Sequence, residues 1–196
     1  MVKTGPDSLL VAAAELLDQG GPEAVTLRGV GRAAGVSRGA PYHHFVTKAE
    51  LLAAIAAREL DDLADSFLLV EARGAAAARA MMLGYLRWAL AFPERFRLTF
   101  GRWETDDARL GAASARVRDA FVAAVAQAQQ DRDLPGGDPV RLAALVLSAT
   151  HGAADLAAAG HLSPTRKGRV EAEDLVHDVF AHLRAAAHGG EADAQR

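Results

Sequence analysis

The sequence contains no cysteine, which excludes disulfide bonds, thiolate metal sites and a cysteine nucleophile. It also lacks any uncharged apolar run as long as the roughly 18 residues that a membrane-spanning helix needs. The opening residues Met1-Val2-Lys3-Thr4 lead directly into a helix pattern and do not resemble a secretory signal. From these absences we expect a soluble, cytoplasmic protein that does not enter a membrane.

Motifs for catalysis are absent as well. There is no nucleophile elbow, no phosphate-binding glycine loop and no dinucleotide fingerprint, because the close glycines of residues 29–35 do not follow a strand. His177 and His182 lack the i, i+4 spacing of the helical zinc motif. We therefore expect no enzymatic activity, no cofactor and no bound metal.

Apolar residues recur at helical spacing along the chain, and no segment shows the strict alternation of apolar and polar residues that is typical of a half-buried strand. Apolar residues at i, i+3, i+4 and i+7 from Leu10 predict a first helix over about 7–18, which Gly20-Gly21-Pro22 ends. The sequence predicts an all-α fold of about nine helices. Beyond residue 72 the predicted elements are helices over about 75–91, 93–101, 108–130, 139–159 and 170–187, a loop at Ser163–Gly168 and a frayed tail from His188.

Residues 24–48 contain four cations and two histidines but no acidic residue, whereas the whole chain is formally −3. The cations are Arg28, Arg32, Arg38 and Lys48. A concentrated basic element in an otherwise acidic protein predicts that an anionic partner docks there.

The same stretch has the pattern of a helix-turn-helix. Thr26 is suited to cap a short helix that ends near Ala34, and Gly35 can adopt the positive φ that the turn needs. We expect Ser37 to cap a second short helix that carries Arg38 and the polar residues after it.

A capping box formed by Thr47 and Glu50 predicts the start of the next helix, which runs toward Glu71. Lys48 in its first turn opposes the helix dipole. This unfavourable charge is explained if the helix N-terminus and Lys48 together hold a phosphate.

The run TLRGVGRAAGVSRGAPYHHFVTKAELL, residues 26–52, resembles the N-terminal DNA-binding domain of the TetR family of transcriptional regulators. The similarity lies in the Ala-Gly-Val-Ser turn, the Tyr-x-His-Phe end of the second helix and the lysine just inside the next helix, and it covers about residues 7–55. It implies a helix-turn-helix domain at 1–50 and a helical ligand-binding and dimerisation domain at 51–196. Gly29, Gly31 and Pro41 depart from the pattern, because they disfavour helix inside the motif.

The resemblance implies sequence-specific binding to a palindromic operator in double-stranded DNA. We expect Arg38 to read a guanine edge, and Tyr42, His44 and Lys48 to contact phosphates. The candidate DNA-contacting residues are Thr26, Arg28, Ser37, Arg38, Gly39, Ala40, Tyr42, His43, His44 and Lys48. Charge alone also fits a solvated basic face.

Aromatic residues are scarce, and many of them lie between residues 85 and 103. Such a cluster is typical of a packed core or of a pocket for a small apolar effector. His151-Gly152 resembles a motif of a subset of TetR-like C-terminal domains, although Leu147 and Ser148 stand where a tryptophan is expected. His151 also fits a core or interface histidine. The candidate ligand-binding residues are Trp88, Phe92, Phe96, Trp103, Phe121 and His151.

The last two predicted helices carry apolar stripes that include small residues, and we expect a homodimer through them. The candidate interface residues are Leu142, Leu145, Ala149, Gly152, Leu156, Val176, Val179, Phe180 and Leu183. The predicted function is therefore a repressor released from its operator by a small ligand. The alternative is a helical interaction module whose basic face binds protein or RNA without sensing a ligand.

Overall fold

The computed structural model describes residues 6–103, 107–162 and 170–193. These residues form eight α-helices and one 3-10 helix and contain no strand, which confirms the all-α prediction. The predicted loop at Ser163–Gly168 lies outside the described residues. The elements are α1 (Pro6–Ala24), α2 (Leu27–Ala33), the 3-10 helix (Ala40–His43), α3 (Lys48–Leu68), α4 (Gly74–Ala91), α5 (Pro93–Thr99), α6 (Ala108–Gln130), α7 (Pro139–Ala158) and α8 (Ala172–Asp193).

The chain divides into two compact units. Unit 1 comprises the described residues of Met1–Asp62 and Phe92–Arg116, and unit 2 those of Leu63–Ala91 and Val117–Arg196. The division falls inside α3 and inside α6. The functional boundary between residues 50 and 51, which the resemblance implies, stays a prediction.

The core of unit 1 includes apolar side chains of α1, α2 and the beginning of α3. Leu9 is only 1% exposed, whereas Leu10, which the periodicity predicts to be inside, is partly buried. Gly20 and Gly21 have non-helical backbone angles, and φ of Gly21 is +67°. This break interrupts α1 at the predicted point, because glycine tolerates a conformation that other residues avoid. The buried core residues include Leu9, Ala13, Leu17, Val25, Val30, Phe45, Leu51 and Ile55.

Unit 2 is built on α4, α7 and α8, which pack on one another. α7 begins as predicted, since the Asp138 carboxylate accepts a hydrogen bond from Val140 N at 2.9 Å and Pro139 occupies the first turn. α8 continues to Asp193, so the tail predicted to fray from His188 is helical up to that residue. The largest buried side chains of these three helices include Met82, Tyr85, Leu86, Val146, Val176 and Phe180.

Candidate functional sites

Both ends of α2 are held by groups that the sequence predicts. The Thr26 hydroxyl accepts a hydrogen bond from Gly29 N at 3.0 Å, which confirms Thr26 as the N-cap. After α2, Gly35 has a φ of +68°, and Val36 N donates to the Gly31 carbonyl at 2.9 Å. The turn therefore closes tightly against the end of α2.

We call Ser37–His44 the recognition segment. The short helix predicted there forms over Ala40–His43 as a 3-10 helix, but Ser37 as its cap is wrong, because the N-cap position is Gly39, which makes no side-chain capping bond. An α-helix capped by Ser37 would need residue 41 to donate its N–H to the Ser37 carbonyl, and Pro41 has no N–H. The carbonyl accepts instead from Ala40 N at 3.0 Å, which makes the tighter 3-10 turn.

Side chains of the recognition segment divide into an inner and an outer set. Pro41 is buried, and Phe45, which follows the segment, is only 3% exposed. The outer set is Ser37, Arg38, Gly39, Ala40, Tyr42, His43 and His44, all exposed except the half-buried Ala40. The predicted DNA-contacting residues of the segment are therefore accessible to a partner.

An open concavity of about 940 Å³ is lined by residues of α2, the turn and the recognition segment. Its lining residues are Arg28, Arg32, Val36, Arg38, Gly39 and Tyr42. Within the described part of the chain, none of the three arginines forms an ion pair. Guanidinium groups that share one concavity repel each other, and an anion with several oxygens, such as a phosphate, relieves that repulsion by accepting their hydrogen bonds.

The concavity brings together Arg28, Arg38, Gly39 and Tyr42 from the predicted set and adds Arg32, which that set omits. Arg32 follows Arg28 by four residues on α2. Since residues at i and i+4 lie on the same face of a helix, this spacing could have identified it.

The capping box at the start of α3 forms with one variation. Glu50 N donates to the Thr47 hydroxyl at 3.1 Å, and the Glu50 carboxylate accepts from Val46 N at 2.8 Å instead of from Thr47 N. Lys48 Nζ lies 3.2 Å from the carboxylate of Glu23, which is 94% exposed. Such a surface pair contributes roughly 0–1 kcal/mol, so Lys48 can exchange this partner for another anion.

Three of the predicted ligand-binding residues, Phe92, Phe96 and Trp103, belong to unit 1. Phe96 is buried, with its ring centroid 5.5 Å from that of Phe100. Phe92 is 37% exposed, and the guanidinium of Arg95 lies 4.3 Å from its ring centroid. The rings of Phe96 and Phe92 therefore take part in packing and cation–π contacts inside unit 1, and the Trp103 indole N–H donates to the Thr99 carbonyl at 3.4 Å.

The other three, Trp88, Phe121 and His151, belong to unit 2. Phe121 is 4% exposed. The ring centroid of Tyr85 lies 6.1 Å from that of Trp88 and 6.4 Å from that of His151. Tyr85 thus joins two of the predicted residues, although it is not among the candidate ligand-binding residues.

Tyr85 also contacts the imidazole of His151. Its hydroxyl lies 2.7 Å from His151 Nδ1. Burial raises the pKa of Tyr85, and the charge of Asp155 raises it further, so the phenol stays protonated. In the His151 tautomer whose Nδ1 accepts from this phenol, the imidazole proton lies on Nε2, which is 3.7 Å from the Asp155 carboxylate.

Most of the predicted dimer residues lie on partly open faces of α7 and α8. Leu145 and Leu156 are 61% and 46% exposed. Val176 and Phe180, which are also in the predicted interface set, are only 2% and 1% exposed and pack inside the protomer. An apolar groove of about 610 Å³ between α7 and α8 is lined by Leu145, Ala149, Thr150, Leu175, Val176, Asp178, Val179, His182, Leu183 and Ala186.

Among the residues that the structure describes, no three or more histidine, aspartate or glutamate side chains are grouped as metal ligands. None of the helices in those residues is long and apolar enough to span a membrane.

The chain matches two family models. Residues 9–55 match the model of bacterial regulatory proteins of the tetR family. Residues 78–183, more than half of the chain, match the model of a tetracyclin repressor-like C-terminal domain. No curated protein matches the chain significantly.

Solved structures share the fold over nearly the whole chain. A protein of unknown function from Rhodococcus sp. RHA1 is 26% identical, with a TM-score of 0.80, over 94% of this chain and 97% of its own. FadR from Bacillus subtilis, in complex with stearoyl-CoA, is 12% identical, with a TM-score of 0.70, over 92% and 98%. AibR, in complex with isovaleryl coenzyme A and operator DNA, is 19% identical, with a TM-score of 0.61, over 91% and 97%.

The helix-turn-helix residues lie inside the first matched range, whereas most of α4, all of α5, α6 and α7, and the first half of α8 fall within the second. Sequence and fold therefore agree over both parts of the molecule, and this chain belongs to the TetR family of DNA-binding transcriptional regulators.

Proposed function

We propose that this regulator is a cytoplasmic repressor that binds a palindromic operator as a homodimer and leaves it when a small apolar effector binds. The observation that carries the proposal is the concavity of three arginines beside the exposed recognition segment. Guanidinium groups bind phosphate oxygens and guanine edges through paired N–H donors, and duplex DNA offers both.

The accessible side chains divide by what they can reach on a duplex. Arg38 stands at the start of the recognition segment and reads a base edge in the major groove. Tyr42, His44 and Lys48 contact phosphates on one side, while Thr26 and Arg28 contact the flanking backbone. Gly39 and Ala40 are small, so the backbone of the segment can approach the DNA closely.

Dimerisation uses the open faces of α7 and α8. The seven predicted interface residues that are not buried in the protomer are Leu142, Leu145, Ala149, Gly152, Leu156, Val179 and Leu183. The apolar groove between the two helices is suited to pack against its own copy in a four-helix arrangement. A two-fold dimer of this kind sets its recognition segments about 34 Å apart, one turn of DNA.

The effector site lies in unit 2, around Trp88, Phe121 and His151. The aromatic rings supply apolar area, and His151 supplies a group that can hydrogen-bond to the effector. FadR and AibR, which share this fold, are complexed with stearoyl-CoA and isovaleryl coenzyme A respectively, and they support an effector with an apolar acyl chain. We expect a coupling of about 1–3 kcal/mol between effector and operator binding.

The operator test begins with selection of duplexes from a random library. We expect an enriched palindrome that is bound at least about 1,000-fold more tightly than a shuffled duplex, and an affinity that falls steeply between about 50 and 200 mM salt. For variants of the concavity arginines, the matched control is Arg118→Ala, because it removes an exposed arginine on α6 that pairs with Asp119. If the protein binds single-stranded RNA or a protein and shows no preference among duplexes, the interaction-module alternative is correct.

The dimer and sensor parts have separate tests. Sedimentation at micromolar concentration should give a dimer, and Leu145→Glu should give a folded monomer, whereas Leu68→Glu, at another exposed leucine, should leave the dimer intact.

The sensor role has its own test. Hydrophobic compounds can be screened by tryptophan fluorescence, and operator affinity is then measured with each binder. If every tight binder leaves operator affinity unchanged, the sensor role is wrong and the DNA-binding role stands.

A further inference from the structure

Two of the departures from the family pattern, Gly31 and Pro41, meet in the structure. A Cβ atom added to Gly31 would lie 3.1 Å from Pro41 Cγ and 3.3 Å from Pro41 Cδ. Both residues are buried, and the Ser37 carbonyl oxygen would be 3.5 Å from the same Cβ. The absence of a side chain on α2 is therefore what allows the proline ring to pack against this helix.

Pro41 has a second effect, on the type of helix. Because it cannot donate an N–H to the Ser37 carbonyl, the recognition segment takes the 3-10 form. Successive side chains turn by about 120° in a 3-10 helix but by about 100° in an α-helix. From Ala40 to His43 this difference accumulates to about 60°, so Tyr42 and His43 point in directions that an α-helix of the same sequence would not give.

We propose that Gly31 and Pro41 are a matched pair that keeps the recognition segment a 3-10 helix close to α2, and that the pair thereby determines which base pairs the segment reads. This inference rests on the proposed DNA-binding function. Gly29, the third departure, differs in its surroundings. A Cβ on Gly29 would meet the capping hydroxyl of Thr26 at 2.8 Å and Leu16 at 3.7 Å, so Gly29 concerns the cap of α2 and not the recognition segment.

The pairing of Gly31 with Pro41 can be tested by a double-mutant cycle in which unfolding is measured. Gly31→Ala should lower the folding equilibrium constant about tenfold or more, because its methyl group overpacks against the proline ring. In a Pro41→Ala background the ring atoms are gone, and the same change should be neutral or stabilising. Gly84→Ala is the matched control, since a Cβ at this exposed helical position meets nothing within 4 Å. An equal loss from Gly31→Ala in both backgrounds would show that the two residues are not a pair.

The effect of the Gly31–Pro41 pair on base reading can be tested by comparing the base preferences of two proteins. Wild type and Pro41→Ala are taken through selection from the same random duplex library. We expect the enriched sequences to differ in at least one base pair, and Pro41→Ala to bind the wild-type sequence about tenfold more weakly. If Pro41→Ala does not fold stably, the Gly31→Ala/Pro41→Ala double variant replaces it.

The outcomes separate this inference from the proposed function. If both proteins enrich the same duplex and bind it equally well, the pair has no reading role and the proposed function stands. If wild type enriches no duplex, the proposed function is wrong and the reading role fails with it. The unfolding cycle still decides in that case whether Gly31 and Pro41 are matched.

Discussion

Arginines in two regions of unit 1 have opposite surroundings. Arg28, Arg32 and Arg38 share an open concavity and form no ion pair within the described residues. Arg95, on α5, instead donates to Asp18 on α1 at 2.6 Å and to Glu59 on α3 at 3.1 Å. The same type of side chain thus stays open to solvent in one region and joins three helices in the other.

Burial explains why, within the described part of the chain, Arg95 is paired and the arginines of the concavity are not. Burial opposes the charge of Arg95, but the hydrogen bond to Asp18 and the charges of Glu59 and Asp18 outweigh it and raise the pKa of Arg95. A charge away from water must be paired within the chain, or the fold loses stability. The arginines of the concavity keep their hydration until a ligand replaces it, so they cost little stability and remain available for binding.

The largest expected effect comes from breaking the buried cluster. Arg95→Met keeps an apolar side chain over Phe92 but removes the guanidinium from two carboxylates, of which Glu59 is 6% exposed. We expect a loss of about 3 kcal/mol in the free energy of unfolding, measured with urea. Arg118→Ala, at an exposed site, should change it by less than about 0.5 kcal/mol. Equal effects would mean that the cluster contributes no more than a surface charge.

Substitution of an arginine in the concavity should instead affect DNA binding and leave stability unchanged. Arg38→Ala should leave unfolding unchanged but remove about 1–3 kcal/mol of discrimination at one base pair of the operator. The measurement is the affinity of variant and wild type for the selected palindrome and for its single-base substitutions. If Arg38→Ala weakens selected and random duplexes equally, Arg38 contacts phosphate and does not read a base.

Lys48 is intermediate between the partly buried, paired Arg95 and the arginines of the concavity, which are unpaired within the described residues, since it has a partner, Glu23, that is almost fully exposed. Lys48→Ala should weaken binding to all duplexes by a similar factor and reduce the salt slope by about 1. Glu23→Gln is the companion variant, because it frees Lys48 without removing it and should strengthen binding slightly. If Lys48→Ala leaves the salt slope unchanged, the proposed phosphate contact at the N-terminus of α3 is wrong.

The sequence predicts helix ends well because they depend on neighbouring residues. Thr26, Gly35 and the pair Asp138-Pro139 act within a few residues of the boundary they set, so local patterns are sufficient. The 3-10 helix is different. The sequence shows Pro41 as a departure from the family pattern, but its packing on Gly31 depends on how the turn brings α2 and the recognition segment together.

Side-chain partners far apart in sequence could not be predicted for the same reason. Tyr85 and His151 are on different helices, and periodicity gives the apolar face of each helix but not the residue opposite. The stripe of α8 was correctly identified as apolar. Its division into buried Val176 and Phe180 and half-exposed Val179 and Leu183 depends on the angle at which α4 and α7 pack on α8.

The smallest effect concerns an arginine that is paired but exposed. Arg87 on α4 donates to both carboxylate oxygens of Glu173 on α8, at 2.8 and 3.0 Å. The hydrogen bond from Arg87 lowers the pKa of Glu173, and although partial burial opposes this, the charges of Arg87 and His177 add to it. The folded state therefore binds this proton less readily than the unfolded state. The stabilisation is present above the ordinary glutamate pKa of 4.5 and is lost as the pH falls through the lower folded-state value.

Arg87→Met should consequently lower the free energy of unfolding by roughly 0.5 kcal/mol near neutral pH, because the Arg87 side chain is 63% exposed and water screens the pair. Below the folded-state pKa of Glu173 the variant and wild type should unfold at nearly the same urea concentration, since protonated Glu173 attracts the guanidinium only weakly. Urea unfolding of both proteins across the acidic range measures this convergence. A difference that stays constant with pH would mean that Arg87 stabilises unit 2 by packing its apolar stem and not by its charge.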